Sequence, residues 1–204
     1  AISSLESDER DRLWNELKRG TALLDSHEQM CQYIYSFGNM HQAKLLEVFK
    51  SLPLELFQQD FEVIDWGCGQ AMGTVNLFDF IQSKGLELNI KKVTLIEPSN
   101  TALQRGLLHA TTYLSDDVQI VPINEFFENI DAEVITSKNS LPVIHIFSNI
   151  LDVVQIDLKH LANLIDSTAV STNYLVCVGP LNPTNQRIDA FFRYFDNKLV
   201  EKVY

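Results

Sequence analysis

The sequence predicts an α/β protein: a mostly parallel sheet with helices on both faces, plus an N-terminal helical segment. Three observations carry this. From about residue 57 onward, short apolar runs alternate with amphipathic stretches of helical period. Runs such as "VTLIE" (93–97) and "PVIHIF" (142–147) are almost continuously apolar, as strands buried on both faces must be. The stretch "VIDWGCGQAMGT" (63–74) passes from β-branched residues into two glycines spaced one apart, then into a helical pattern, which is the signature of a strand–turn–helix unit.

The elements follow in order. Leu13, Trp14 and Leu17 share one helical face, and Gly20 ends that run. Asp25-Ser-His-Glu28 has the spacing of a capping box, with Asp25 in the capping position. The helix it opens is expected to stop at Gly38. Asn39 is then expected to cap another helix, carrying Leu45, Leu46, Val48 and Phe49 and fading before Pro53. Residues 1–56 thus form an N-terminal helical segment packing on the core, and 57–204 the α/β domain. Within it the pattern predicts strands over 61–66, 92–97, 118–123, 142–148 and 174–179, with a sixth at 199–204. Helices are predicted over 72–83, 100–113, 153–165 and 184–195, with Asp152 as the N-cap of the third of these. Residues 129–141 read as loop with one helical turn.

Bulk composition narrows the function classes. Across 204 residues the hydrophobic content is 46% and the charged content 21%, enough for a sizeable core. The net charge of −11 disfavours a track along bare nucleic acid. Cys31, Cys68 and Cys177 are dispersed and odd in number, without C-x-x-C spacing, so no metal site is expected and a reducing, cytoplasmic setting fits. No apolar run of about 18 residues suggests a membrane span.

The glycine turn carries the chemistry. A strand that enters a helix through Gly67 and Gly69 gathers free backbone N–H groups at one spot, reinforced by the helix dipole. Nucleotides sit in such crevices, at the C-terminal ends of the strands. The dinucleotide fingerprint needs a third glycine where Met72 stands, and no G-K-[ST] follows, so a bound pyrophosphate is disfavoured. Asp65, two residues ahead of Gly67, would repel a phosphate and favour a cationic ligand. S-adenosylmethionine carries a sulfonium and an ammonium and no phosphate.

These residues resemble the first motif of class I S-adenosylmethionine-dependent methyltransferases, acid-x-Gly-x-Gly-x-Gly. Asp65, Gly67 and Gly69 match it, Cys68 lies between the glycines, and Ala71 stands at the third glycine. "VTLIEPS" resembles the second motif, which implies that Glu97 binds the ribose hydroxyls. "VQIVPINEFF" is similar to the third strand and its exit, where Asn124 or Glu125 would meet the adenine amine. "IHIFSNILDVVQIDLKHLANLI" resembles the fourth strand and the helix after it, placing Ser148 and Asn149 over the ligand crevice. The resemblance covers residues 61–195 and implies a Rossmann-like fold, S-adenosyl-L-methionine as cofactor, and methyl transfer to an acceptor that no motif identifies. The family's sheet has seven strands, the last antiparallel. With five or six placed here, the expectation is a fragment of a longer protein, with further domains, or a degenerate C-terminus.

The other conspicuous residues read as structural or remain open. His145 is expected as a satisfied core histidine and His41 as a surface residue. Cys68 needs no role beyond being small between two glycines. Tyr33, Tyr35 and Phe37 could form a lid over the cofactor, although their spacing more often means core packing. Arg187 and Arg193 follow the fifth strand and face solvent or a substrate carboxylate. "SNIL" stands where adenine-modifying relatives carry D-P-P-Y, and no Pro-Cys dipeptide occurs, which speaks against those acceptors. Three functions stay open: an active methyltransferase domain, a silent methyltransferase-like binding or scaffolding domain, and a nicotinamide-dependent oxidoreductase, the last disfavoured by Met72.

Overall fold

In the computed structural model, residues 7–180 and 186–195 are described. The element order is α1 (Ser7–Glu16), α2 (His27–Phe49), β1 (Phe61–Trp66), α3 (Met72–Ser83), β2 (Ile90–Ile96), α4 (Asn100–Thr111), β3 (Gln119–Ile123), α5 (Ala132–Ile135), β4 (Val143–Ser148), α6 (Leu158–Thr168), β5 (Asn173–Val178) and α7 (Arg187–Arg193). All the strand pairs are parallel and the spatial order is β3-β2-β1-β4-β5. This is the Rossmann-like order, in which the chain reverses direction across the sheet beside β1. The sixth strand expected at 199–204 lies outside the described residues.

Alternation along the strands explains why the runs are continuously apolar. In β1, Val63 points into one layer and Ile64 and Trp66 into the other; in β4, Ile144 and Ile146 oppose Val143 and Phe147. One layer joins the sheet to α2, α3 and α4 through Leu45, Phe49, Leu77, Phe78 and Leu103. The other joins it to α6 and α7 through Leu161, Ile165 and Phe191. At the centre of the second layer, the Trp66 ring lies nearly parallel to Phe147, with centroids 5.7 Å apart, and to His145, at 6.2 Å. Trp66 Nε1 donates to His145 Nδ1 at 3.1 Å, so the ring's other nitrogen, Nε2, carries the proton and donates to Asn173 Oδ1 at 2.7 Å. Both nitrogens are used, burial lowers the imidazole pKa to about 4, and His145 is the satisfied core histidine that the sequence suggested.

Several boundaries differ from the expectation. No stop occurs at Gly38, and Asn39 caps nothing, because α2 runs unbroken from His27 to Phe49. Gly38 serves packing instead: a Cβ there would come within 3.3 Å of Ile34 Cγ2 and 3.5 Å of Met72 Cε, at the start of α3. The cap of α2 is Ser26, whose hydroxyl accepts from Gln29 N, while the Gln29 side chain accepts from Asp25 N, so the box sits one residue later than Asp25. Helix α6 starts at Leu158 under Asp157, which accepts from Lys159 N and His160 N. Asp152 is not its cap, and Val154 is exposed rather than in register. Pro122 lies inside β3, which tolerates it because β3 is an edge strand among the described residues.

Helix α4 approaches the glycine turn closely at Gly106, where a Cβ would lie 3.0–3.1 Å from backbone atoms of Gly69, Gln70 and Ala71. Backbone cannot step aside as a flexible side chain can. Gly106→Val is therefore expected to destabilise the fold by about 1–3 kcal/mol, read as a lower urea midpoint at unchanged slope.

Candidate functional site

The site begins where β1 ends. Gly67 (φ +64°), Gly69 (φ +52°) and Ala71 (φ +59°) alternate in the left-handed region, with Cys68 and Gln70 between them. Cys68 N donates to Ile96 O at 2.9 Å, pinning the turn to the end of β2, and Ala71 N closes onto Cys68 O at 2.7 Å. Ala71 occupies the capping position of α3 but has no side-chain oxygen to offer. Asp65 supplies it from the strand: its Oδ2 accepts from Thr74 N at 3.0 Å and from Thr74 Oγ1 at 2.8 Å. This clasp leaves no room beside it, since a Cβ on Gly73 would lie 3.0 Å from Asp65 Oδ2 and 2.9 Å from Ile146 Cγ2.

The clasp leaves Asp65 only partly satisfied. Its carboxylate is 1% exposed, and Oδ1 has no hydrogen-bond partner among the described residues. Burial raises its pKa to about 6, against the pull of the Thr74 hydrogen bonds and with a smaller push from Glu97.

Glu97 stands at the tip of β2, one step across the sheet. Its Oε2 accepts from Gly69 N at 3.0 Å and its Oε1 from Ser99 N at 2.9 Å. Burial raises its pKa, while the two amides oppose that rise. The two glycines that flank Cys68 differ. A Cβ on Gly67 would strike Ile150 Cγ1 at 2.8 Å, whereas a Cβ on Gly69 would meet nothing within 4 Å. Open space therefore lies over Gly69, beside the Glu97 carboxylate. Cys68 is buried, and desolvation together with Asp65 and Glu97 raises its thiol well above the usual range, so it stays neutral.

The remaining predicted residues divide. Asn124 Nδ2 donates to Glu97 O at 2.9 Å and Pro98 O at 2.8 Å, so it braces the Glu97 backbone. Glu125 is exposed and accepts from Asn129 Nδ2 within its own loop. Ser148 and Asn149 lie at the exit of β4, where Asn149 takes a left-handed φ of +59° and its N–H donates to Val178 O at 2.8 Å. The Asn149 amide also donates to Ser148 Oγ at 3.2 Å.

The N-terminal helices meet the C-terminal ends of the strands. Ser99 Oγ donates to Leu24 O, and Gln70 Nε2 donates to Met30 O at 3.0 Å. Tyr33 lies near Glu97, and burial, with that charge, pushes its phenol up to about 12. Phe37 stacks on His41 with centroids 5.8 Å apart, while Tyr35 points outward. His41 is buried rather than on the surface; desolvation first, then Lys44, lowers its pKa to about 4. Lys44 Nζ donates to Asn149 Oδ1 at 2.9 Å and to Gly179 O at 3.0 Å.

Arg187 turns inward and donates to Leu151 O and Ile156 O, both at 2.6 Å, whereas Arg193 is exposed. Lys44 and Thr74 are the residues that sequence reasoning missed. Lys44 gave no local signal, because both of its partners are remote in the sequence. Thr74 was visible as a hydroxyl at the start of a helix whose capping position holds alanine. Among the described residues no cluster of three or more His, Cys, Asp or Glu is placed for a metal, and no helix is long and apolar enough to cross a membrane.

No protein-family model matches this sequence, and no curated protein matches it either. Among solved structures the chain is similar to a SAM-dependent methyltransferase from Leishmania major, at 13% identity and a TM-score of 0.49, over 89% of this chain and 72% of that one. It is similar to a precorrin-6y C5,15-methyltransferase from Geobacter metallireducens, at 14% identity and a TM-score of 0.45, over 87% of this chain and 73% of that one. It is also similar to a cyclopropane-fatty-acyl-phospholipid synthase-like protein from Lactobacillus casei, at 16% identity and a TM-score of 0.44, over 88% of this chain and 60% of that one.

The raised Asp65 pKa has a consequence for stability. The folded protein holds the Asp65 proton up to about pH 6, whereas the unfolded chain releases it near 3.8. The folded state binds more protons in that window, so this group's contribution to stability falls as the pH climbs through it. Asp65→Asn removes the charge and keeps an acceptor for Thr74. It is expected to raise stability by on the order of 2 kcal/mol at pH 7–8 and by nothing below about pH 4. Urea unfolding at the two pH values checks the sign.

Proposed function

We propose that this chain is a methyltransferase domain that binds S-adenosyl-L-methionine over Gly69 and transfers its methyl group to an acceptor. One observation carries the reading: Glu97 stands against the Gly69 amide, beside the space that Gly69 leaves open, at the C-terminal ends of β1 and β2. The residues present suit the cofactor. A carboxylate fixed by two amides keeps lone pairs for a ribose diol. Asp65 Oδ1, without a hydrogen-bond partner among the described residues, adds negative charge to a crevice that would repel a diphosphate and attract a sulfonium.

When bound, the cofactor supplies an activated methyl group on a good leaving group. Glu97 holds and orients the nucleoside, Asn124 keeps the Glu97 backbone in place, and the Asp65–Thr74 clasp fixes the glycine turn against α3. Tyr33 of α2 feels the Glu97 charge. Alignment supplies much of the rate in such an in-line transfer, so no dedicated base is required. In this reading residues 1–56 are an N-terminal helical segment and 57–204 the methyltransferase-like domain, further domains of the same protein would choose the acceptor, and the setting is cytoplasmic. Bare nucleic acid is a poor acceptor for a chain of net charge −11.

A second reading, a domain of this fold that binds without turnover, draws on the β4 side. There Ile150 packs on Gly67, and Lys44 clasps Asn149 and Gly179, so the chain's own side chains fill that side of the turn.

Calorimetric titration separates the readings. S-adenosylmethionine and S-adenosylhomocysteine are expected to bind at micromolar levels, NAD not at all, and Glu97→Ala to weaken both nucleosides about tenfold or more. Tight binding with no label transferred to any component of a cell extract would select the second reading. Binding of NAD alone would overturn both.

A further inference from the structure

A second cavity, of about 310 Å³, opens at the other end of the sheet, where β1, β2 and β3 begin. Glu62, Lys92 and Gln119 stand side by side there, because Glu62 pairs with Lys92 in the β1–β2 ladder and Lys92 with Gln119 in the β2–β3 ladder. Residues in register on parallel neighbours share a face, about 4.8 Å apart. That is close enough for a direct ion pair, yet Glu62 and Lys92 form none. Each is held by a neutral group of the segment that covers this rim. Glu62 Oε1 accepts from Ser137 Oγ at 3.0 Å, and Lys92 Nζ donates to Val134 O at 3.0 Å. Glu62 is only 3% exposed, and its Oε2 has no hydrogen-bond partner among the described residues. An acid and a base are thus held apart with open space beside both, an arrangement that burial makes costly unless something completes it.

The other charges at the cavity balance. Lys91 is the extra residue of a β-bulge between the Phe61–Ile90 and Glu62–Lys92 pairs, and its ammonium lies 3.3 Å from Asp60. Glu133 and Lys138, both exposed, add one charge of each sign to the wall. Burial lowers the Lys92 pKa, Glu62 opposes that fall and Lys138 adds to it, so all three charges act on one another across the cavity. With Lys91 matched by Asp60, two acids and two bases remain. A simple anion would be repelled by Glu62 and Glu133, and a simple cation by Lys92 and Lys138. A ligand with one charge of each sign satisfies both pairs. We propose that this cavity binds a free α-amino acid with an uncharged side chain, its carboxylate on Lys92 and Lys138 and its ammonium on Glu62 and Glu133. The volume is that of a small-ligand site, and Gln119 and Asn139 offer amides to a polar side chain. The site is separate from the glycine turn and does not depend on the function proposed above.

The test uses three ligands and three variants of the full chain. L-glutamine carries both charges, glutaramate lacks the ammonium and 4-aminobutanamide lacks the carboxylate. Titration followed by NMR is expected to show L-glutamine binding at about 1 mM or tighter, and each analogue at least about tenfold more weakly. Glu62→Gln keeps an acceptor for Ser137 and is expected to erase the preference over glutaramate alone. Lys92→Met is expected to erase the preference over 4-aminobutanamide alone. Lys91→Met, at the residue paired with Asp60, is expected to change neither ratio. A variant that merely loosens the fold would weaken all three ligands together, which the two selective losses distinguish. The unaltered protein decides even if a variant does not fold. No binding of L-glutamine, or equal or tighter binding of either analogue, overturns the proposal. So do Glu62→Gln and Lys92→Met proteins that fold and keep both ratios, since the amino acid would then sit elsewhere.

Discussion

The site is organised around one buried contact, the grip of Asp65 on the first turn of α3. A helix that begins at alanine leaves its leading N–H groups without a side-chain acceptor. Asp65 provides that acceptor from the neighbouring strand, taking both the amide and the hydroxyl of Thr74. The contact ties strand, turn and helix into one unit, and the left-handed positions at Gly67, Gly69 and Ala71 are held because both ends of the turn are anchored. It comes at an electrostatic cost, since one carboxylate oxygen stays buried without a partner among the described residues. A fold selected for stability alone would place a neutral amide there.

The neighbouring carboxylate follows a different logic. Glu97 receives two backbone amides, so its position is set by the main chain rather than by another side chain. One of these amides belongs to Gly69, which joins the tip of β2 to the turn after β1. The open side of Gly69 and the blocked side of Gly67 give the crevice a direction. Open space lies toward β2, and hydrophobic packing by Ile150 lies toward β4.

Much of this was legible in the sequence, for identifiable reasons. Phe61–Trp66 and Met72–Ser83 could be placed to the residue because apolar continuity, two glycines and a 3.6-residue period changed over within a few positions. His145 could be read as core because alternation set it beside Phe147 on one face of a strand. The errors share a cause, in that tertiary contacts decided between locally similar options. Gly38 looks like a helix stop, but Met72 packs there and needs the missing side chain. Asp152 and Asp157 are equally good caps by type, and the chain chose the later one, leaving Asp152 beside Gly179. His41 looked polar enough for the surface until α2 proved continuous, which turned it toward Phe37. Lys44 could not be assigned at all, because its partners lie 105 and 135 positions away and no local pattern links them.

The chain of contacts from Trp66 through His145 to Asn173 crosses β1, β4 and β5. Its imidazole keeps one protonation state from neutral pH down to about 4. The middle of the sheet is therefore deaf to acidification over that span, while the carboxylates at its rim are not. A fall in pH would first discharge Asp65 and leave the imidazole beneath it neutral, so the rim and the plate would respond at two separate points along one titration.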